Sequence, residues 1–87
     1  MVHTLKIWKT HYDDILLGNK RVEIRREDDR TYNVGDFLEL HVFDPEKWEH
    51  TGEMSQVTIK FIHRGLGMDK GYCALCISDP VEVADGL

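Results

Sequence analysis

The side chains whose types and spacing could do chemistry lie in one stretch, Gly18-x-Lys20-x-x-Glu23-x-Arg25. In an extended strand alternate residues share a face, and two residues span ~7 Å at Cα. Glu23 and Arg25 then stand side by side, with Lys20 emerging just ahead of them. Two cations and a carboxylate at one junction can hold a phosphate, orient a donor group of a ligand, or move a proton. Lys20 and Glu23 are the candidates for acid–base or nucleophilic work. Arg21 and Arg26 flank the motif and extend its positive charge. The same residues could equally form a solvated ion-pair cluster, which contributes little when exposed.

The other reactive side chains form no comparable group. Cys73 and Cys76 are three apart in a strongly apolar run, which places them on opposite faces of a strand, ~10 Å apart along it. A disulfide needs Cα atoms within ~7 Å. A four-ligand zinc site needs ligands that a single cysteine pair does not supply. Both are read as core thiols. The histidines, His3, His11, His41, His50 and His63, show no metal-ligand spacing. Gly65, Gly67 and Gly71 read as turns and not as a phosphate cradle. No metal and no cofactor is expected.

The elements that must position the motif follow from periodicity. A strand is expected over His3–Trp8, with Leu5 and Ile7 inward. A helix is expected over Thr10–Leu17, capped by Thr10 with Asp13 three residues on, and with Tyr12, Ile15 and Leu16 as its apolar stripe. Gly18 fits the helix C-cap. A strand over Arg21–Arg26 is expected to bury Val22 and Ile24 and to turn Arg21, Glu23 and Arg25 outward. Further strands are expected over Phe37–Phe43, Ser55–His63 and Tyr72–Ile77. The first of these buries Leu38, Leu40 and Val42, the second Val57, Ile59 and Phe61, and the third is central. Asp44 to Gly52 reads as a long hairpin loop. One domain over residues 1–78 results, with 79–87 as a tail that frays. The fold class is mainly β with one or two short helices, in a mixed but mostly antiparallel curled sheet.

Composition bounds the partners. The chain has 87 residues, 41% hydrophobic and 31% charged, enough for one core and too apolar for a disordered segment. No apolar run approaches the ~20 residues of a membrane span, and the opening residues carry no secretory h-region, so a cytoplasmic location is expected. The formal net charge of −5 argues against a general polyanion binder. The positive charge is local: five of the eleven Lys and Arg residues fall between Lys20 and Arg30. Such a strip can take phosphate while the acidic remainder limits non-specific binding.

Gly18-Asn19-Lys20-Arg21-Val22-Glu23-Ile24-Arg25 resembles the GxKxxExR signature of the ASCH superfamily, whose members are similar in fold to the PUA RNA-binding domain. The opening His3-Thr4-Leu5-Lys6-Ile7-Trp8, the Asp28–Arg30 loop, Val34-Gly35-Asp36, and Gly65-Leu66-Gly67 with Gly71-Tyr72 extend the likeness. The Asp44-Pro45 to Thr51-Gly52 hairpin extends it further. The chain thus looks like a short, uncharacterised ASCH-related family frequent in phage and bacterial genomes, over about residues 2–78. The resemblance implies a five- or six-stranded pseudobarrel with a helix over one opening and the motif in a cleft. It also implies RNA binding. Some superfamily members are amidohydrolases acting on acylated cytidine, or ribonucleases. Lys20 matches the catalytic lysine of the amidohydrolases, whereas Glu23 stands where they carry threonine, and their distal glutamate has no clear counterpart near Tyr72-Cys73-Ala74-Leu75.

The expectation is therefore a small, monomeric RNA- or nucleotide-binding module, with single-stranded RNA or a nucleotide held by Lys20, Arg21, Glu23, Arg25 and Arg26. Trp8, Tyr32, Trp48 and Tyr72 are the aromatics available for stacking, with Trp8 and Tyr72 placed at the site. The alternatives are a hydrolase of a modified nucleoside or RNA with Lys20 as base or nucleophile, and a phage or bacterial protein-interaction factor.

Overall fold

The computed structural model describes residues 1–82. The elements in chain order are β1 (Val2–Trp8), α1 (Lys9–Leu16), β2 (Val22–Arg26), β3 (Phe37–Asp44), β4 (Glu49–His63), β5 (Tyr72–Ile77) and β6 (Val81–Glu82). The sheet runs β1-β3-β4-β5-β2, with β6 added beside β4. Among the described residues β1 and β3 are parallel and every other pairing is antiparallel. Parallel neighbours need a long crossover. Here it consists of α1, β2 and the loop that returns to β3.

β1 and β3 supply the clearest alternation and the middle of the core. His3, Leu5 and Ile7 are buried on β1, and Leu38, Leu40 and Val42 on β3. Val57 and Ile59 of β4, and Cys73, Leu75 and Ile77 of β5, complete the inner face. α1 covers one end through Tyr12 and Ile15, both fully buried, and the Tyr12 hydroxyl lies 2.6 Å from Ser55 Oγ, also buried. A buried hydroxyl left unpaired would cost about 1–3 kcal/mol, so this contact fixes the helix over the sheet.

Several expectations are corrected. α1 begins one residue early, with Trp8 at its N-cap and no side-chain cap, so the Thr10–Asp13 capping pair does not form. Asp13 instead meets Lys9 at 3.3 Å, one helical turn back. Leu16 is exposed. Gly18 does end the helix, at φ +83°, a conformation that side chains with a Cβ resist. β4 starts at Glu49, which shrinks the expected loop to residues 45–48. Its first residues, all exposed, pair with Phe43 and Asp44 in a ribbon, so no apolar alternation marks this end of β4. A bulge between Ile59 and Phe61 shifts the alternation and turns Phe61 outward. Of the stretch expected to fray as a tail, residues 79–82 lie among the described residues. Asp79 receives Arg21, and Val81 and Glu82 pair with Gln56 and Ser55. Residues 83–87 of that expected tail lie outside the described residues.

The largest correction concerns β2. Glu23 is 4% exposed and Ile24 is 59% exposed, the reverse of the apolar reading. β2 pairs with β5 so that Glu23 lies opposite Leu75 and Arg25 opposite Cys73, both on the inner face. Val22 and Ile24 fall on the outer face, opposite Cys76 and Ala74. The sheet does not close into a barrel. β1 and β2, the two ends of the strand path, do not pair among the described residues. Between them a gap remains.

Candidate functional site

That gap is the candidate site. It is a cleft of about 510 Å³ lined by Lys6, Ile7 and Trp8 of β1, His11 of α1, Lys20, and Val22 to Arg25 of β2. Its volume lies within the range of small-ligand sites, roughly 300–1,000 Å³. The topology explains its composition. Two strand edges that would pair in a closed barrel instead face each other, and α1 passes across one end.

Glu23 lies at the centre of the charge arrangement. Its Oε2 accepts from Arg25 Nε at 3.1 Å and Nη2 at 3.0 Å. Its Oε1 stands 2.8 Å from Lys20 Nζ. The Lys20 contact is an ion pair, and Oε1 is otherwise enclosed. A carboxylate taken out of water needs compensating charge, and the two motif cations provide it. Arg25 Nη2 also donates to the Lys6 carbonyl at 3.0 Å, which ties β2 to β1 across the gap. Lys20 Nζ lies 3.4 Å from His11 Nδ1. Gly18 turns the chain sharply after α1, and this sets Lys20 at the mouth beside Glu23.

The structure brings together Lys20, Glu23, Arg25 and Trp8, four of the residues singled out in the sequence. It does not bring Arg21 to the cleft. Arg21 donates to the Ile15 carbonyl at 2.6 Å, at the C-terminal end of α1, and pairs with Asp79 at 2.9 Å. Its guanidinium there adds a charged donor to a carbonyl of the last helical turn that also accepts from the Gly18 amide. Arg26 and Tyr72 belong to a neighbouring recess of about 390 Å³, which also includes Asp28, Asp29, Arg30 and Tyr32. In it Arg26 lies 5.7 Å from the Tyr72 ring and 3.3 Å from Asp28. Ile24 and Arg25 line both recesses and form the partition between them.

Lys6, Ile7 and His11 were not legible as site residues. No signal in their own neighbourhood marks them, because only the placement of the β1 edge opposite β2 makes them neighbours of the motif. Trp48 lies close by. It packs against Phe43 and Trp8, at ring separations of 5.2 Å and 6.2 Å, while staying 70% exposed.

Two further charged groups are structural. The Arg64 guanidinium holds the Glu27 carboxyl well below its usual range, at about 2, through contacts of 2.7 and 2.9 Å, with help from the Tyr32 amide. His3 does the same for Asp36, also at about 2, aided by the Asn33 amide and the Met1 amine. Burial pushes the Cys73 thiol up, away from the reactive thiolate form. Cys76 is free on the opposite face. Among the described residues no group of three His, Cys, Asp or Glu side chains could hold a metal, and no helix is long and apolar enough to cross a membrane.

A family model described as "Domain of unknown function (DUF3850)" matches residues 2–77. No curated protein matches the chain. The match spans the strand path from β1 to β5, and so takes in every residue of the cleft.

Proposed function

The chain belongs to the DUF3850 family, and we propose that this member is a small, cytoplasmic, monomeric module that binds single-stranded RNA or a nucleotide in the cleft between β1 and β2. One observation carries this reading. The Glu23 carboxylate is buried in the cleft wall and holds Lys20 and Arg25 on either side, so two cations are ordered at the cleft. Two ordered cations suit the phosphate of a nucleotide, and their remaining N–H groups suit the acceptors of a nucleobase edge or a ribose. Lys6 adds a further cation to the β1 wall. The superfamily resemblance of the Gly18–Arg25 motif points the same way.

Binding is preferred to hydrolysis because Lys20 and Glu23 are engaged with each other, and among the described residues no Ser, Thr or Cys lines the cleft. A lysine acting as base or nucleophile needs its lone pair directed at the substrate, and this one faces a carboxylate.

The test is an amide chemical-shift titration with short single-stranded RNA at low and at physiological salt. Shifts are expected at Lys6, Trp8, His11 and residues 20–25. Arg25→Ala removes a charge-assisted contact and is expected to weaken binding roughly tenfold or more. Absence of shifts at both salts would remove nucleic acid as the ligand and leave a protein partner as the next candidate.

A further inference from the structure

We propose that Trp8, Phe43 and Trp48 form a second subsite, continuous with the cleft, that stacks the base next to the one held there. The ligand is then a single-stranded oligonucleotide rather than a mononucleotide. This rests on the cleft being a nucleotide site.

Trp8 ends β1, lines the cleft, and turns its ring against Phe43 at 5.7 Å in an edge-to-face contact. Trp48 meets both rings and stands nearly perpendicular to Phe43. Phe43 is buried and serves as the footing; the two indoles are exposed. Trp48 adopts φ 56° in the turn between β3 and β4, where non-glycine residues are uncommon. Its ring rests on Phe43 and Trp8 and still leaves 70% of its surface facing water. Phe43 and Trp8 hold it in place, so stacking a base on it costs little side-chain freedom. Lys6 joins the two subsites. It lines the cleft, and its ammonium lies 4.7 Å from the Phe43 ring centre and 5.6 Å from that of Trp8. That is where the phosphate between two adjacent nucleotides would run. Aromatic stacking accepts any base, so the ledge adds affinity without adding sequence preference.

The test compares a mixed-sequence RNA hexanucleotide with the four nucleoside 5′-monophosphates, by calorimetry and by the indole N–H signals. The chain has two tryptophans, so each indole gives one reporter. The hexanucleotide is expected to bind roughly five- to a hundredfold more tightly than any monophosphate, and to shift the Trp48 indole. Trp48→Gly accepts the backbone conformation without its ring and is expected to abolish that advantage. Trp48→Tyr is expected to keep most of it. If monophosphate and hexanucleotide bind equally, with the Trp48 signal unmoved, the ledge is not a subsite and the cleft reading stands. If neither ligand binds, the cleft reading fails and the ledge fails with it.

Discussion

Glu23 shows how one residue can organise a site. A buried carboxylate without partners would be expelled to the surface or would distort its strand. Between Lys20 and Arg25 it is tolerated, and it in turn orders two long cationic side chains that would otherwise sample many rotamers. The arrangement predicts opposite outcomes for neighbouring substitutions. Ile24→Asp falls on the outer face and is expected to cost less than about 1 kcal/mol, despite the residue's apolar character. Glu23→Gln leaves the two cations without their counter-charge. It is expected to cost about 1–3 kcal/mol, below the value for a fully buried pair because Lys20 and Arg25 keep about a quarter of their side chains in water. Thermal melts of both variants check the register directly. A large loss for Ile24→Asp with little effect of Glu23→Gln would return β2 to its apolar reading.

Among the elements, legibility in the sequence tracked burial on one face. β1, β3 and the inner positions of β5 follow their alternation because each has water or a thin cover on one side and the core on the other. β2 was legible as a strand and illegible as to facing. Val22 and Ile24 suggested a core face, but an edge strand beside a cleft can turn its charges inward if they neutralise one another. The ribbon at the start of β4 and the bulge at Phe61 were hidden for related reasons, since pairing there owes nothing to an apolar stripe. The motif itself was visible, while its β1 wall depended on a long-range parallel pairing that local pattern cannot reveal. Two junctions between elements are held by carboxylates with depressed pKa values. Glu27, after β2, is clasped by Arg64 after β4, and Asp36, before β3, by His3 on β1. A carboxyl whose native pKa is lowered stabilises the fold above its ordinary pKa, and that contribution disappears as pH falls through the native value. Both groups move from ordinary values of 4.5 and 3.8 to about 2, so acid should loosen the domain between about pH 4.5 and pH 2. Arg64→Ala frees Glu27 and is expected to raise the midpoint of acid unfolding. Circular dichroism against pH reads the shift, and an unchanged midpoint would mean that the clasp does not hold the junction.

For the molecule as a whole, the charge balance limits how RNA would be held under the proposed function. With a net charge of −5 and three cations in the cleft, Lys6, Lys20 and Arg25, few phosphates can be neutralised at once. For single strands the logarithm of affinity falls by about 0.7 per phosphate contact for each decade of salt, so two or three contacts predict a slope between about −1.4 and −2.1. Titrations from low to physiological salt measure it. A slope steeper than about −4 would require a larger interface than the cleft and its ledge provide. The order in which the sheet is assembled has a consequence for synthesis. Among the described residues β2 pairs with β5 alone, and β1 pairs with β3. While the nascent chain lengthens on a ribosome, Lys20, Glu23 and Arg25 therefore emerge early and wait without a sheet partner until Tyr72–Ile77 has been made. The cleft is among the last features to exist, and a chain released before β5 would carry the motif without it.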